Sequence, residues 1–138
     1  MALRARYLAD KSALARLPVK AVRARLGPLI EEGEIATCAI VDLEILYSSR
    51  NLADYEAILE ERASLDTAPI TPDVLNRAVD LQHELARRGH HRLPIPDLII
   101  SAAALRSNLI VIHYDSDFEL LAAIGGAPHE WVVPKGSV

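Results

Sequence analysis

Leu109-Ile110-Val111-Ile112-His113-Tyr114-Asp115 is the stretch whose reading decides the fold. Four aliphatic residues followed by histidine and tyrosine form the strongest strand segment in the chain, and an aspartate follows it at once. Three weaker segments of the same kind are Arg6–Ala9, Glu34–Cys38 and Glu130–Val133. The chain between them has helical spacing. Val22, Leu26, Leu29 and Ile30 make one stripe over Val19–Glu32, and Gly33 stands where a left-handed cap would end that helix. Ala39–Ser49 and Leu52–Ser64 keep three-to-four spacing around Asn51. Thr71-Pro72 starts a helix that Gly89 closes, and Pro94-Ile95-Pro96-Asp97 opens another that runs to about Ser107. Strands separated by helices predict an α/β fold, a three-layer α/β/α domain with a mainly parallel central sheet of four to five strands.

The chain has 138 residues, a length that suits one hydrophobic core, so residues 1–138 are expected to form a single domain. No apolar run approaches the roughly 20 residues that cross a bilayer. The N-terminal residues Met1 to Arg6 lack the long apolar stretch of a secretory leader. A soluble, cytoplasmic protein without a membrane association is expected. The single cysteine, Cys38, excludes an internal disulfide and a thiolate metal site, and is expected to be a small buried hydrophobe. A net charge of −4 disfavours a protein that coats nucleic acid nonspecifically.

Two aspartates hold equivalent positions. Asp10 follows the first strand and Asp115 the strongest one, which places both at the carboxyl edge of a parallel sheet, where ligands bind. Asp97 lies near a helix start. Glu44 sits inside the otherwise apolar Ile40–Tyr47, sharing a face with Val41 and Ile45, so its carboxylate turns inward and requires a partner. Asp42 on the other face is either solvated or supports a site group. Each acid also has an ordinary explanation: Asp10 as a helix cap, Asp97 as a helix-dipole partner, Asp115 and Asp117 as a loop and cap before Phe118–Ile124. Glu44 is the one such explanations cover least.

Converging carboxylates about 4 Å apart repel by roughly 4 kcal/mol per pair at an effective dielectric near 20, so a cation would have to hold them together. Hard oxygen ligands suit Mg²⁺, with Mn²⁺ as a substitute, and magnesium keeps waters that can attack a phosphodiester. Two divalent ions against five acids would also remove most of the charge objection.

Taken in order, Tyr7–Leu17, Val41–Ser48, Ile95–Ala104 and His113–Phe118 resemble the four acidic motifs of the PIN-domain nucleases, in particular the VapC-type toxins of type II toxin–antitoxin systems. The resemblance covers nearly the whole chain. It implies a metal-dependent endoribonuclease in which Asp10, Glu44, Asp97 and Asp115 are catalytic metal ligands with Asp117 as a fifth. Ser12 is implied to bond a site carboxylate, and Lys11 departs from the threonine common at its position. A VapB-type antitoxin, an RNA substrate and a homodimer are implied as partners.

Lys11, Arg16, Arg50, Arg87, Arg88 and Arg92 are candidates to hold RNA phosphates. His90 and His91 read as exposed bystanders, His113 as a hydrogen-bonded core residue and Trp131 as core. Two rivals remain open at this point. Asp115-x-Asp117 after a strand also suits an aspartate-based phosphohydrolase, although Phe118 and Glu119 stand where its usual threonine would be. An acidic pocket that only receives a basic partner tail would need the same charges as a nuclease.

Overall fold

A computed structural model describes residues 3–138; Met1 and Ala2, part of the stretch read for a leader, lie outside the described residues. Strand and helix alternate as β1 (Tyr7–Ala9), α1 (Lys11–Leu14), α2 (Lys20–Glu31), β2 (Ile35–Thr37), α3 (Ala39–Tyr47), α4 (Leu52–Ala63), β3 (Asp66–Thr67), α5 (Pro72–Arg87), α6 (Ile95–Arg106), β4 (Ile110–His113), α7 (Asp117–Ala123) and β5 (His129–Trp131). The strands form one sheet in the order β3-β2-β1-β4-β5, and every pair is parallel. The chain builds outward from β1 through β2 to β3, then reverses and adds β4 and β5 on the other side. The reversal lies between β1 and β4, and the crevice of an open parallel sheet forms at the carboxyl ends of such a pair.

Alternate strand residues face opposite layers, as the pleat requires. Leu8, Ala36 and Val111 join the cluster built with α3, α5, α6 and α7, including Val41, Leu81, Leu98, Phe118 and Leu121. Tyr7, Ala9, Ile35 and Ile112 face the other way, onto Val22 and Leu26 of α2 and Ala13 of α1. That gives the expected three layers. Helix α6 buries Leu98, Ile100, Ser101, Ala102, Ala103 and Ala104. It is apolar nearly all round because α5, α7, α3 and β4 surround it.

The cap signals act as expected. Thr71 Oγ1 accepts from the Val74 amide at 3.3 Å, and Gly33 and Gly89 take φ of +72° and +78°. Cys38 is fully buried. Differences are local. The fifth strand, β3, holds only Asp66 and Thr67, with no apolar run to announce it. Helix α1, which Asp10 caps, is a single turn that ends at Leu14, and Pro18 disfavours helical geometry for Leu17 before it. Ile30, read as part of the apolar stripe of α2, is 37% exposed, while Val22 and Leu26 are buried in the layer and Leu29 packs partly against it.

Candidate metal centre

Asp10 leaves the carboxyl end of β1 as the N-cap of α1, and Asp115 leaves the end of β4 one residue beyond its neighbour Tyr114. Cap and site positions coincide at Asp10. Its Oδ2 accepts from the Ser12 amide at 3.0 Å and from the Ser12 hydroxyl at 2.6 Å. The same hydroxyl oxygen accepts from the Tyr114 amide at 2.9 Å. One serine thus joins the two strand ends and fixes one oxygen of Asp10.

Asp115 is held from behind. Its amide donates to Nδ1 of His113 at 3.0 Å, while its Oδ1 accepts from the Asp117 amide at 3.0 Å. His113 is fully buried, and burial together with His129 lowers its pKa to about 4, so the ring is neutral. With Nδ1 accepting, the neutral tautomer carries its proton on Nε2 and donates to Nδ1 of His129 at 2.8 Å. His113 is therefore the bonded core residue its position suggested. His90 and His91 are exposed, and Trp131 differs from expectation: it is half-buried, with its ring 4.9 Å from His113 and edge-on to Tyr114 at 5.3 Å. It lies on the edge strand β5, where Lys135 Nζ stands 5.7 Å from its ring centroid.

Asp97 enters from the first turn of α6 and is 6% exposed. Carboxylate oxygens of Asp97, Asp115 and Asp117 all lie within 4.8 Å of one another. Asp117 therefore belongs to the tightest group of acids. Asp10 and Glu44 stand outside that trio but are electrostatically continuous with it. Burial raises the Asp10 carboxyl and Asp115 raises it further, while the Ser12 bonds oppose both. Glu44 is raised by burial and by Asp10, against Lys11. Asp117 is raised by burial and by Asp115. Asp97 is displaced most, to about 8, by burial and by Asp10, Asp115 and Asp117.

Two atoms reveal what the arrangement lacks. Oδ2 of Asp97 and Oε1 of Glu44 are buried without a hydrogen-bond partner. Such atoms carry a desolvation cost with no return. None of the ion pairs among the described residues includes any of the five acids. An all-oxygen, cation-free cluster with unpartnered buried acceptors fits a hard divalent cation such as Mg²⁺ or Mn²⁺ and does not fit a soft thiophilic one.

Sequence reasoning missed the support around the site. Asp42, expected to be solvated or supporting, anchors α3. Its Oδ1 accepts from Thr37 Oγ1 at 2.8 Å and from Nε of the buried Arg62 at 2.9 Å, and Arg62 Nη2 also donates to Thr37 Oγ1 at 2.7 Å. The only signal was an arginine in the last turn of α4, twenty positions away. Among the phosphate-binding candidates, Arg50 pairs with Asp54, and Arg87 and Arg88 pair with Glu84. Arg92 is exposed, Lys11 lies near enough to Glu44 to affect it, and Arg16 lies over the Tyr114 ring.

Comparison with known proteins agrees with this geometry. The PIN domain family model matches residues 7–124. Ribonuclease VapC21 of Mycobacterium tuberculosis is 46% identical over 134 residues, covering 96% of this chain and 97% of the relative. Ribonuclease VapC51 of the same organism is 41% identical over 133 residues, covering 96% and 97%. Among solved structures, VapBC-5 from Mycobacterium tuberculosis superposes with a TM-score of 0.64 at 27% identity, covering 92% of this chain and 97% of that one. VapBC2 from Rickettsia felis, bound to a DNA fragment from its promoter, shares the fold with a TM-score of 0.72 at 18% identity, covering 90% and 96%. With four acidic motifs at the carboxyl edge of an all-parallel sheet and relatives of this similarity over nearly its whole length, the chain belongs to the PIN domain family, among its VapC-type members.

Proposed function

We propose that this VapC-type chain is a ribonuclease toxin of a type II toxin–antitoxin pair, an endoribonuclease that requires Mg²⁺, with Mn²⁺ as a substitute. In this reading residues 1–138 are one domain, and Asp10, Glu44, Asp97, Asp115 and Asp117 hold the cation. The observation that carries it is the buried, unpartnered Oδ2 of Asp97 beside Asp115 and Asp117. The names of the relatives, Ribonuclease VapC, support RNA as substrate, and the VapBC neighbours support a VapB-type antitoxin as partner. A homodimer and a cytoplasmic location are part of the same proposal. No helix among the described residues is long and apolar enough to cross a membrane.

Bound there, a divalent cation would supply neutralising charge to the phosphodiester and a water acidified toward attack. The chain supplies position. Ser12 keeps Asp10 turned by two hydrogen bonds, so that ligand is set before any cation arrives. His113 fixes the backbone of Asp115 through its amide, and Asp115 fixes that of Asp117. Burial and its acidic neighbours push the Asp97 carboxyl up to about 8, so it would give up a proton on becoming a ligand to a cation held there. Incubating the purified chain with single-stranded RNA tests the reading. Cleavage is expected in Mg²⁺, none in EDTA and none with Asp115→Asn; cleavage that persists in EDTA or in the variant would refute it.

A further inference from the structure

Arg16 is held in a way that the acid cluster does not require. Its Nη1 donates to the carbonyl oxygen of Ser12 at 2.7 Å, and its guanidinium carbon lies 4.4 Å from the centroid of the Tyr114 ring. Ser12 is the residue whose hydroxyl bonds Asp10, and Tyr114 directly precedes Asp115. The two segments that carry these acids therefore also fix the arginine. Tyr114 is itself braced. Its hydroxyl accepts from the Gly136 amide at 2.9 Å and donates to the Val138 carbonyl oxygen at 3.0 Å, and Trp131 meets its ring edge-on.

An arginine seated on Ser12 and Tyr114, the near neighbours of Asp10 and Asp115, would ordinarily pair with an acid. Arg16 forms no ion pair among the described residues. Stacking on an aromatic face and a bond to a carbonyl hold the guanidinium between Ser12 and Tyr114 while its Nε and Nη2 donors make no hydrogen bond with the described residues. A planar fork of free donors is matched by the non-bridging oxygens of a phosphate. We infer that Arg16, held by Ser12 and Tyr114, binds a backbone phosphate of single-stranded RNA beside the acid cluster, at the carboxyl edge between β1 and β4. The inference rests on the ribonuclease reading for the identity of its ligand, but its test is binding and not cleavage.

The probe is a labelled single-stranded oligoribonucleotide, titrated by anisotropy in Mg²⁺ at several salt concentrations. Asp97→Asn serves as the background so that the strand stays whole, and Arg16→Gln and Arg16→Lys are added to it. Removing one phosphate contact on a single strand lowers the slope of log affinity against log salt by about 0.7, and Arg16→Gln is expected to do so with about tenfold weaker binding. Arg16→Lys, which keeps the charge without the fork, should recover the slope and only part of the affinity. Unchanged affinity and slope in Arg16→Gln overturn the inference, as does an absence of RNA binding by the Asp97→Asn chain. A loss of the Mg²⁺-induced rise in melting temperature in Arg16→Gln alone would assign the residue to the fold of the site instead. A parent chain that binds RNA through Arg16 yet never cleaves it would sink the nuclease reading and leave this one standing.

Discussion

Replacing Asp97 with asparagine should make the metal-free protein more stable and the metal-loaded protein less so. Carboxylates with oxygens no more than 4.8 Å apart repel by about 3.5 kcal/mol at an effective dielectric near 20. Asp97 faces two of them, Asp115 and Asp117, both half-exposed, and solvent screening reduces the combined repulsion by about half, to on the order of 3 kcal/mol. Asparagine keeps the shape and removes the charge. It also gives up a favourable helix-dipole contact in the first turn of α6, worth about 0.5 kcal/mol. At pH 7 a carboxyl near 8 is mostly protonated, which hides part of the gain, so the comparison belongs above pH 8. For a chain of this size about 2–3 kcal/mol is a rise of roughly 8 °C in melting temperature. In excess Mg²⁺ the order reverses, because the parent chain gains about 4.1 kcal/mol at a thousandfold excess over Kd and the variant has lost a ligand. Differential scanning fluorimetry of both chains in EDTA and in Mg²⁺ measures all four values. A variant that melts below its parent in EDTA, or that keeps the full Mg²⁺ shift, would refute the argument that repulsion at Asp97 is what the cation relieves.

In EDTA, stability should fall as pH rises from about 6.5 to about 8. Asp97, with its native pKa raised from 3.8, loses stability across the whole window up to about 8, and the other raised acids act in the same direction, whereas His113, lowered from 6.5 to about 4, gains it only up to 6.5 and so opposes them only below that pH. In Mg²⁺ the same scan should rise, since the cation binds ionised carboxylates; a flat or rising curve in EDTA would overturn the assignment. Arg62→Met should cost about 3 kcal/mol by urea unfolding, because Asp42 is left with an uncompensated charge beside Thr37. An unchanged midpoint would show that the Asp42–Arg62 pair contributes nothing.

Much of the fold was legible because its strongest signals are local. The aliphatic run before Asp115 is a strand in any context, and Thr71-Pro72, Gly33 and Gly89 mark helix ends through their own backbone preferences. Strand β3 was not legible, since Asp66 and Thr67 are extended only because the edge of β2 offers them hydrogen bonds. The topological place of Asp10 and Asp115 could be read from strand order alone. The closeness of Asp117 to Asp97 could not, because it depends on how the turn after β4 meets the first turn of α6. The Arg62–Asp42–Thr37 network and the seat of Arg16 on Tyr114 share that limit: each joins residues whose proximity exists only after the layers have packed.

The pairing of β1 with β4, which sets Tyr7 against Ile110, joins segments about a hundred residues apart, and contacts of such separation form late in folding. During synthesis Asp10 and Glu44 leave the ribosome long before Asp115 and Asp117, so no nascent chain short of β4 has a complete acidic site. Under the proposed function, activity would therefore wait until synthesis has passed Asp117. On the same reading, a chain stopped before β4 would lack two of the five proposed ligands together with Val111, Ile112, Phe118 and Leu121 of the core, and would be inert.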